Sequence, residues 1–300
     1  MAGIKTAQVA FEWGARTFVM GILNVTPDSF SGDGLLVGAE GSTAGDPGIA
    51  LALEQAGRFM AAGADILDVG GESTRPGSQI VSAEEELQRV IPVISALVQY
   101  YPQVAISVDT YKAVVAEAAL SAGAHIINDV WGLRADPQLA GVVARHAVPV
   151  VLMHNRSKPT NALVEANLGG HYVGMQYDDL IQDVKKELLE SVDLALDAGI
   201  QPGNIILDPG IGFGKTVEQN LELLNRLDEI RALGYPVLLG PSRKSFIGYS
   251  LNLPPDQRVE GTAAAVSVGI VRGADIIRVH DVEMMVRVAR MTDAIVRKKL

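Results

Sequence analysis

The stretch Ala105-Ile-Ser-Val-Asp109 is a short, mostly apolar run that stops abruptly on a carboxylate. Such runs are typical of a strand that is buried on both faces of a parallel sheet. Seven further runs share this pattern: 19–24, 66–68, 126–129, 150–154, 205–208, 237–242 and 276–280. The repetition predicts eight parallel strands whose carboxyl ends present the chemically active side chains on one rim.

Segments with helical periodicity separate these runs. They are predicted over 49–62, 82–98, 111–121, 137–146, 175–198, 216–233, 257–272 and 282–299, and two of them begin with capping boxes, at Ser82 and at Thr216. Eight strand–helix units joined by right-handed crossovers favour a closed (β/α)8 TIM barrel over an open doubly wound sheet. We therefore predict one α/β domain over residues 1–300. An N-terminal β-hairpin within residues 1–16 is expected to turn at Glu12-Trp13-Gly14 and to cover one end of the barrel.

The composition favours one large core and excludes several classes of protein. Hydrophobic residues make up 48% of the 300 residues and charged residues 20%, which argues against disorder. A formal net charge of -10 disfavours broad contact with nucleic acid. No apolar run approaches the roughly 20 residues that cross a bilayer, and no signal peptide is recognisable. With no cysteine in the chain, we expect a cytoplasmic protein that binds neither nucleic acid nor membrane.

Asp208 ends the sixth run and is followed directly by the glycine-rich loop 209–214. A strand-end aspartate often caps the next helix, and Asp109 fits that role, but after Asp208 the chain must turn before a helix can begin. A carboxylate beside this loop suits a flat ligand with paired N–H donors. Asn128 and Asp129 can supply a matched acceptor and donor beside it.

The loop that ends in Gly-Lys-Thr216 superficially resembles a nucleotide-binding P-loop. A P-loop requires a glycine five positions before its Gly-Lys pair, and here that position is Pro209. We therefore interpret Lys215 and Thr216 as residues at the start of the next helix.

Positive and hydroxyl side chains follow the last two runs. The segment Pro241-Ser-Arg-Lys-Ser245 ends the seventh, and alternation along the eighth points Arg278 and His280 to the same side. Barrels commonly hold phosphate at this position, so we expect these residues and Lys244 to face an anion. His154 after the fifth run is too isolated to indicate a metal ligand.

Seven segments in order resemble the dihydropteroate synthases. The two most specific are Met20-Gly-Ile-Leu-Asn-Val-Thr-Pro-Asp-Ser-Phe-Ser31 and Asp68-Val-Gly-Gly-Glu-Ser-Thr-Arg-Pro-Gly77. The other five are 107–109, 127–129, 207–215, 242–248 and 278–281. The resemblance covers almost the whole chain. It implies a TIM barrel that joins 6-hydroxymethyl-7,8-dihydropterin diphosphate to 4-aminobenzoate and releases diphosphate in folate synthesis.

The resemblance also implies roles for individual residues. Those at pterin-binding positions are Asp109, Asn128, Asp208 and Lys244, and those at diphosphate positions are Thr74, Arg278 and His280. The aminobenzoate positions are Phe30, Arg75, Pro76, Phe213 and Ser245, and Asn24 matches the position linked to Mg²⁺. Arg278 is also expected to stack on the pterin. A homodimer is implied by resemblance alone.

The chemistry implied by the resemblance is dissociative: diphosphate leaves first, and the aniline nitrogen attacks the remaining pterin methylene cation. Mg²⁺, Arg278 and His280 would neutralise the leaving group, while Asp109 and Asp28 are candidates for the anion near the cation. Two alternatives stay open, a pterin-dependent methyltransferase and a homologue that binds pterin without turnover. The segment from Lys158 to Gly174 matches no motif, and its role is open.

Overall fold

The computed structural model describes residues 4–6, 9–26, 47–73, 80–165 and 167–297. Its strands are β1 Ile4–Thr6, β2 Val9–Phe11, β3 Phe18–Asn24, β4 Ile66–Gly70, β5 Ala105–Asp109, β6 Ile126–Asp129, β7 Val150–Met153, β8 Ala162–Glu165, β9 Gly169–Tyr172, β10 Ile205–Asp208, β11 Leu238–Leu239 and β12 Ile276–Val279. Its α-helices are α1 Pro47–Ala62, α2 Ala83–Tyr100, α3 Ala113–Ser121, α4 Leu139–His146, α5 Leu180–Asp197, α6 Val217–Asn225, α7 Leu227–Arg231, α8 Ser245–Leu251, α9 Val259–Val271 and α10 Val282–Val296.

Eight of the strands run parallel in one sheet, in the order β10-β7-β6-β5-β4-β3-β12-β11. Helices connect successive strands, which confirms the predicted (β/α)8 TIM barrel. The two ends of the sheet meet where Leu207 of β10 forms a single parallel bridge with Val237, and Leu207 N donates to Pro236 O at 2.9 Å. We call this junction between β10 and the segment leading into β11 the closing seam. It is the most sparsely paired junction among the described barrel strands.

The predicted strands and helices are found close to their predicted positions. The differences lie between residues 216 and 251, in the helix before β11, in β11 itself and in the helix after it. The predicted helix over 216–233 is two helices, α6 and α7, separated at Arg226. Its start is confirmed, because Thr216 and Gln219 form the expected reciprocal capping box. The helix α8 was not predicted, and the run Val237–Ser242 contributes only Leu238–Leu239 to the strand. None of the helices in the described ranges is long and apolar enough to span a membrane.

The N-terminal hairpin is present, but its predicted turn at Glu12-Trp13-Gly14 is wrong. β1 and β2 pair antiparallel, with Ile4 opposite Phe11 and Thr6 opposite Val9, so residues 12–14 lie after both paired strands and cannot be the turn of the hairpin. The residues after β2 form a separate turn, in which Ala15 N donates to Glu12 O at 3.2 Å, and this turn leads into β3. The sequence signal at 12–14 therefore marks the turn between β2 and β3 and not the turn of the hairpin.

Aromatic side chains next to the hairpin close the amino end of the barrel. The rings of Phe11 and Phe18 have centroids 4.8 Å apart, and Trp13 lies 5.6 Å from Phe18 in edge contact. They pack on the inward apolar side chains of the strand starts, which are Met20, Ile66, Ala105, Ile126, Val151, Ile206, Leu238 and Ile276. We call this ring the barrel floor.

Along several strands, the inward positions change from apolar to polar toward the carboxyl end. On β4, Ile66 in the floor is followed two residues later by Asp68, and on β5 Ala105 is followed by Ser107. The outward positions between them stay apolar and pack on the helices in the main core. Because alternate residues share a face, the polar ends of neighbouring strands converge inside the upper barrel.

The segment Lys158–Gly174, which matches no motif, contains the hairpin β8–β9, and this hairpin packs on α8. His171 and Tyr249 have ring centroids 4.3 Å apart. The buried Arg258 donates to Leu168 O and to Arg243 O, both at 2.9 Å. This hairpin therefore supports the residues that immediately precede α8.

Candidate active site

Four neighbouring strands place their carboxyl ends in one register at the rim. Asn24 lies opposite Gly70, Gly70 opposite Asp109, and Asp109 opposite Asn128. A Cβ on Gly70 would lie 3.6 Å from Asp109 Cβ and 3.9 Å from Asn24 Oδ1. The glycine therefore leaves an opening between the amide and the carboxylate.

Arg278 of β12 joins this rim to the layer beneath it. Its Nε donates to Asp68 Oδ2 and its Nη2 donates to Asp109 Oδ2, each at 2.6 Å, while Asn128 Nδ2 donates to Asp68 Oδ2 at 3.1 Å. Burial opposes the charge of Arg278, but the two aspartates outweigh it and raise the pKa of the guanidinium. Burial raises the pKa of Asp109 to about 7 despite the opposing effect of Arg278. The pairing fixes the plane of the guanidinium inside the barrel.

Asp208 lies across the barrel at the end of β10, and its carboxylate is oriented by the glycine loop. Gly210 N donates to Asp208 Oδ1 at 2.7 Å, and Gly210 has a φ of +71°. Burial raises the pKa of Asp208, whereas Lys244 and the Gly210 N–H act to lower it. A cation and a backbone donor thus favour the ionised carboxylate in a buried place.

Lys244 immediately precedes α8, which begins at Ser245, and its side chain faces the same loop. Lys244 Nζ donates to Ile211 O and lies 4.4 Å from the centroid of the Phe213 ring. Burial lowers the pKa of Lys244 to about 8, while Asp208 acts to raise it. Because Phe213 is only partly buried, its ring offers an apolar surface beside this cation.

Ser242 and Arg243 precede Lys244 in the same motif, but only Ser242 contacts a residue of the site. Ser242 Oγ accepts from His280 N at 3.2 Å and lies 3.0 Å from His280 Nδ1, which orients that imidazole at the rim. Arg243 instead forms a bidentate pair with Asp281, at 2.9 and 2.6 Å. Its guanidinium supports the chain behind the rim.

Asp129 does not face the ligand space, contrary to the expectation that it pairs with Asn128. Its carboxylate accepts from Trp131 N at 2.8 Å and from Leu133 N at 2.5 Å, which stabilises the turn after β6. Alternation along the strand explains the difference, since adjacent residues point to opposite faces. The capping role considered for Asp109 is also wrong, because Ala113 N at the start of α3 is bound by Asp136 Oδ2 at 2.8 Å.

Sequence reasoning missed Asp68 and Ser107 as members of the site. Both are fully buried, and Asp68 Oδ1 and Ser107 Oγ have no hydrogen-bond partner among the described residues. Buried polar atoms are normally satisfied, so these two are available to a polar ligand or to ordered water in the upper barrel. Their inward alternation with Ile66 and Ala105 was the signal that could have revealed them.

The remaining predicted site residues, Asp28, Phe30, Thr74, Arg75 and Pro76, lie outside the described residues. Asn24 is described and lies at the rim. The structure therefore brings together Asn24, Asp109, Asn128, Asp208, Arg278 and His280 at one end of the barrel, with Phe213, Lys244 and Ser245 at its edge.

Residues 20–280 match the model of the pterin binding enzyme family. A dihydropteroate synthase of Clostridium beijerinckii is 48% identical over 296 residues, which cover 98% of this chain and 100% of the relative. The chain belongs to the dihydropteroate synthase family. It is accordingly a transferase of folate synthesis, as the motifs implied.

Solved structures of this family agree with the fold. A Clostridium difficile dihydropteroate synthase determined in the presence of pteroic acid is 47% identical, with a TM-score of 0.83 over 96% of this chain and 100% of that one. A Xanthomonas albilineans dihydropteroate synthase with 4-aminobenzoic acid is 41% identical, with a TM-score of 0.81 over 96% of this chain and 94% of that one.

Proposed function

We propose that this dihydropteroate synthase joins 6-hydroxymethyl-7,8-dihydropterin diphosphate to 4-aminobenzoate and releases diphosphate. The observation that carries the proposal is the group of inward polar side chains above the barrel floor, in which Asp208 faces the paired Arg278 and Asp109. The pteroic acid and 4-aminobenzoic acid studied with the two relatives support these substrates.

The pterin edge carries an amino group beside a ring N–H, and an ionised carboxylate can accept from both. Asp208 is that carboxylate, with Asn128 as the second polar contact and Lys244 as the donor to a ring acceptor. Arg278 presents a planar guanidinium for stacking on the ring. The unpartnered Asp68 Oδ1 supports a ligand with a polar edge at this depth.

Mg²⁺ is proposed as the metal, held in part by Asn24. The described residues include no cluster of three His, Cys, Asp or Glu side chains that could hold a metal by themselves. Mg²⁺ usually keeps several waters and takes one or two protein oxygens together with substrate phosphates. An amide oxygen at the rim, beside the opening at Gly70, fits that donor set. When bound there, the metal supplies charge neutralisation for the diphosphate.

The proposed reaction is dissociative. The bond between the pterin methylene carbon and the diphosphate oxygen breaks, and its electron pair leaves with diphosphate. The lone pair of the aniline nitrogen then forms the C–N bond, and that nitrogen loses a proton to water. His280 and Thr74 contact the departing diphosphate, and the anions Asp109 and Asp28 stabilise the methylene cation. No covalent bond to the enzyme forms.

The second substrate is placed at the edge of the barrel. Phe213 and Ser245 provide a ring surface and a hydroxyl beside Lys244, and Phe30, Arg75 and Pro76 complete the aminobenzoate site. A neutral aniline needs an apolar wall close to the cation it attacks, and the contact of the Phe213 ring with Lys244 supports Phe213 in that role.

We also propose that the partner is a second copy of this chain, bound through α9 and α10. Helix α9 exposes Val271 at 59%, and α10 exposes Met291 at 63% and Ile295 at 68%. Apolar side chains exposed on adjacent helices are typical of a homodimer face. Sedimentation of Met291→Glu as a monomer, against a dimeric parent, would support this; a monomeric parent would contradict it. The cytoplasmic location stays a prediction.

The test of the reaction is turnover with both substrates. We expect diphosphate release and 7,8-dihydropteroate only when the pterin diphosphate, 4-aminobenzoate and Mg²⁺ are all present. Release without 4-aminobenzoate would contradict the synthase, methyl transfer from a methyl-folate would favour the methyltransferase, and pterin binding without turnover would favour the non-catalytic homologue.

Two isosteric variants test the assignment of the pterin edge. Asp208→Asn is expected to weaken pterin binding at least 100-fold by calorimetry. Asp129→Asn alters another buried strand-end carboxylate, but one that faces away from the site. It should therefore bind within threefold of the parent. Equal losses in both variants would remove Asp208 from the proposed role.

A further inference from the structure

Lys215 is a fully buried lysine behind the glycine loop. Its side chain is among the largest in the described structure that are shielded from solvent, with the residue 2% exposed. The ammonium group donates to Gly210 O and to Phe213 O, each at 3.0 Å, and lies 2.9 Å from His154 Nδ1. An ammonium has three N–H donors, and here three acceptors surround it.

Two of these acceptors belong to residues that are linked to the proposed pterin site and to the proposed aminobenzoate site. Gly210 is the residue whose N–H orients the Asp208 carboxylate, and Phe213 carries the ring beneath Lys244. Both lie in one loop, and a single cation holds that loop at two of its carbonyls. The position of Lys215 therefore sets where the loop presents Asp208 and Phe213.

His154 connects this cation to the end of β7. Its backbone N donates to Asp208 O at 2.9 Å. Burial lowers the pKa of the Lys215 ammonium, whereas Asp208 acts to raise it. In its protonated form Lys215 only donates, so Nδ1 of the imidazole accepts and the ring proton is assigned to Nε2. Burial and the neighbouring Lys215 lower the pKa of His154 to about 3, so the ring is neutral, as an acceptor requires.

Glu187 on α5 lies behind the histidine. Its Oε2 is 3.1 Å from His154 Nε2, a close polar contact between a carboxylate and the protonated nitrogen of a neutral ring, although the two atoms lack hydrogen-bond alignment. Arg156 Nε donates to Glu187 Oε1 at 2.7 Å. Burial opposes ionisation of Glu187, but His154 and Arg156 outweigh it and lower its pKa to about 2. The cation of Lys215 thus has a carboxylate beyond a neutral ring.

We propose that Lys215, supported by His154 and Glu187, is a positioning residue that fixes the glycine loop so that Asp208 meets the pterin and Phe213 meets the second substrate. The inference rests on the proposed function and deepens it. Lys215 touches neither substrate and acts through the loop. Its charge also favours the ionised form of Asp208, together with Lys244 and Arg278, which face that carboxylate from α8 and β12.

The first test compares Lys215→Met with Lys186→Met, which makes the same exchange at an exposed position of α5. We expect Lys215→Met to weaken binding of the pterin diphosphate about 30-fold at pH 7 by calorimetry and to lower kcat/KM for both substrates. The loss should shrink toward pH 9, because burial lowers the pKa of Lys215 and the parent therefore loses this charge at a lower pH than a free lysine would. Lys244, with a pKa of about 8, loses its charge in the parent and in both variants alike. Lys186→Met should bind as the parent does at each pH.

A second pair keeps the inference testable if Lys215→Met fails to fold. His154→Gln retains a side-chain oxygen that can accept from Lys215, whereas His154→Leu has a similar size and no acceptor. We expect the pterin affinity to fall about tenfold in the leucine variant and at most threefold in the glutamine variant. Equal affinities in the two variants, at equal folded fractions, would overturn the positioning role.

The two proposals fail in distinguishable ways. A parent enzyme without turnover of both substrates contradicts the proposed function. A parent with full turnover, combined with a Lys215→Met variant that keeps the parent's affinity and pH profile, contradicts only the role of Lys215.

Discussion

Gly210→Ala tests how closely the glycine loop is fitted to the strand beside it. A Cβ at this position would lie 1.9 Å from the carbonyl oxygen of His154, whereas real Cβ contacts are essentially never under 3.0 Å. The loop must therefore move by at least about 1.1 Å, because the obstacle is backbone immediately after β7 and not a flexible side chain. The φ of +71° adds its own strain for a residue with a Cβ.

The expected loss of stability in Gly210→Ala has two separable contributions. Left-handed backbone costs an alanine about 1 kcal/mol relative to glycine. Loss of the hydrogen bond from Gly210 N to the Asp208 carboxylate adds about 2 kcal/mol, as is typical for a bond to a charged group. We expect the free energy of unfolding to fall by about 3 kcal/mol. A displacement of about 1 Å in a positioning loop lowers kcat/KM about 100-fold.

The assay is urea unfolding combined with steady-state turnover, and Gly199→Ala is the matched control. Gly199 has a φ of +91°, and a Cβ there would meet nothing within 4 Å. It should lose about 1 kcal/mol of stability and no activity, since it carries the strain without the clash. If Gly210→Ala matched Gly199→Ala in both measurements, the fit between the loop and β7 would be refuted.

Three further expectations follow from the same contacts. Arg278→Met leaves Asp68 and Asp109 buried without their cation, so the free energy of unfolding should fall by about 3 kcal/mol at pH 8. Burial raises the pKa of Asp109 to about 7, so its stability contribution is present below its unfolded value and is lost as the pH rises through 7. The deficit of Arg278→Met measured by urea unfolding should therefore be smaller at pH 5.5, and a pH-independent deficit would contradict the pairing. Chelation of Mg²⁺ should lower turnover more than tenfold and leave the affinity for 6-hydroxymethylpterin, which lacks the diphosphate, within twofold; a matching loss of that affinity would argue against a metal tied to the diphosphate. Thr216→Ala removes a cap and should cost about 1 kcal/mol with no change in KM, and a raised KM would show that the cap also shapes the site.

The barrel could be predicted because its strands are local signals. The runs that form β3 to β7, β10 and β12 are blocks of mostly buried apolar residues, and the length and flanks of each identify it without knowledge of its neighbours. The strand β11 is the exception. Its run begins at Val237 and continues to Gly240 and Pro241, while the strand itself contains only Leu238 and Leu239.

The short elements outside the repeat could not be read in the same way. Helix α8 has seven residues and includes Gly248, which packs against the guanidinium of Arg258, so it lacks a usable periodic pattern. In the hairpin, β8 is mostly exposed and β9 is mostly half-buried, and neither shows a clear alternation of apolar and polar residues. Both are stabilised by tertiary contacts that a local pattern does not contain.

In the candidate site, too, some residues can be identified from local sequence and others only from tertiary contacts. Asp208 and Arg278 could be identified because a strand end is visible in the sequence, and the family motifs identify Lys244. The pairing of Lys215 with His154 joins residues 61 positions apart. A lysine after a glycine loop and a single histidine after a strand each have an ordinary interpretation, and only the folded chain shows that they meet.

The closing seam has a consequence for the exchange of backbone amides. Asp208 follows one side of the seam and Lys244 follows the other, so a pterin bound by both would bridge the junction with the fewest main-chain bonds in the barrel. A ligand that binds only the closed form suppresses local opening by mass action. The amides of Leu207 and Leu239 should therefore exchange faster than those in the middle of β5 in the free enzyme, and they should slow most when the substrate is added. Bound substrate would thus stabilise the junction at which the barrel closes.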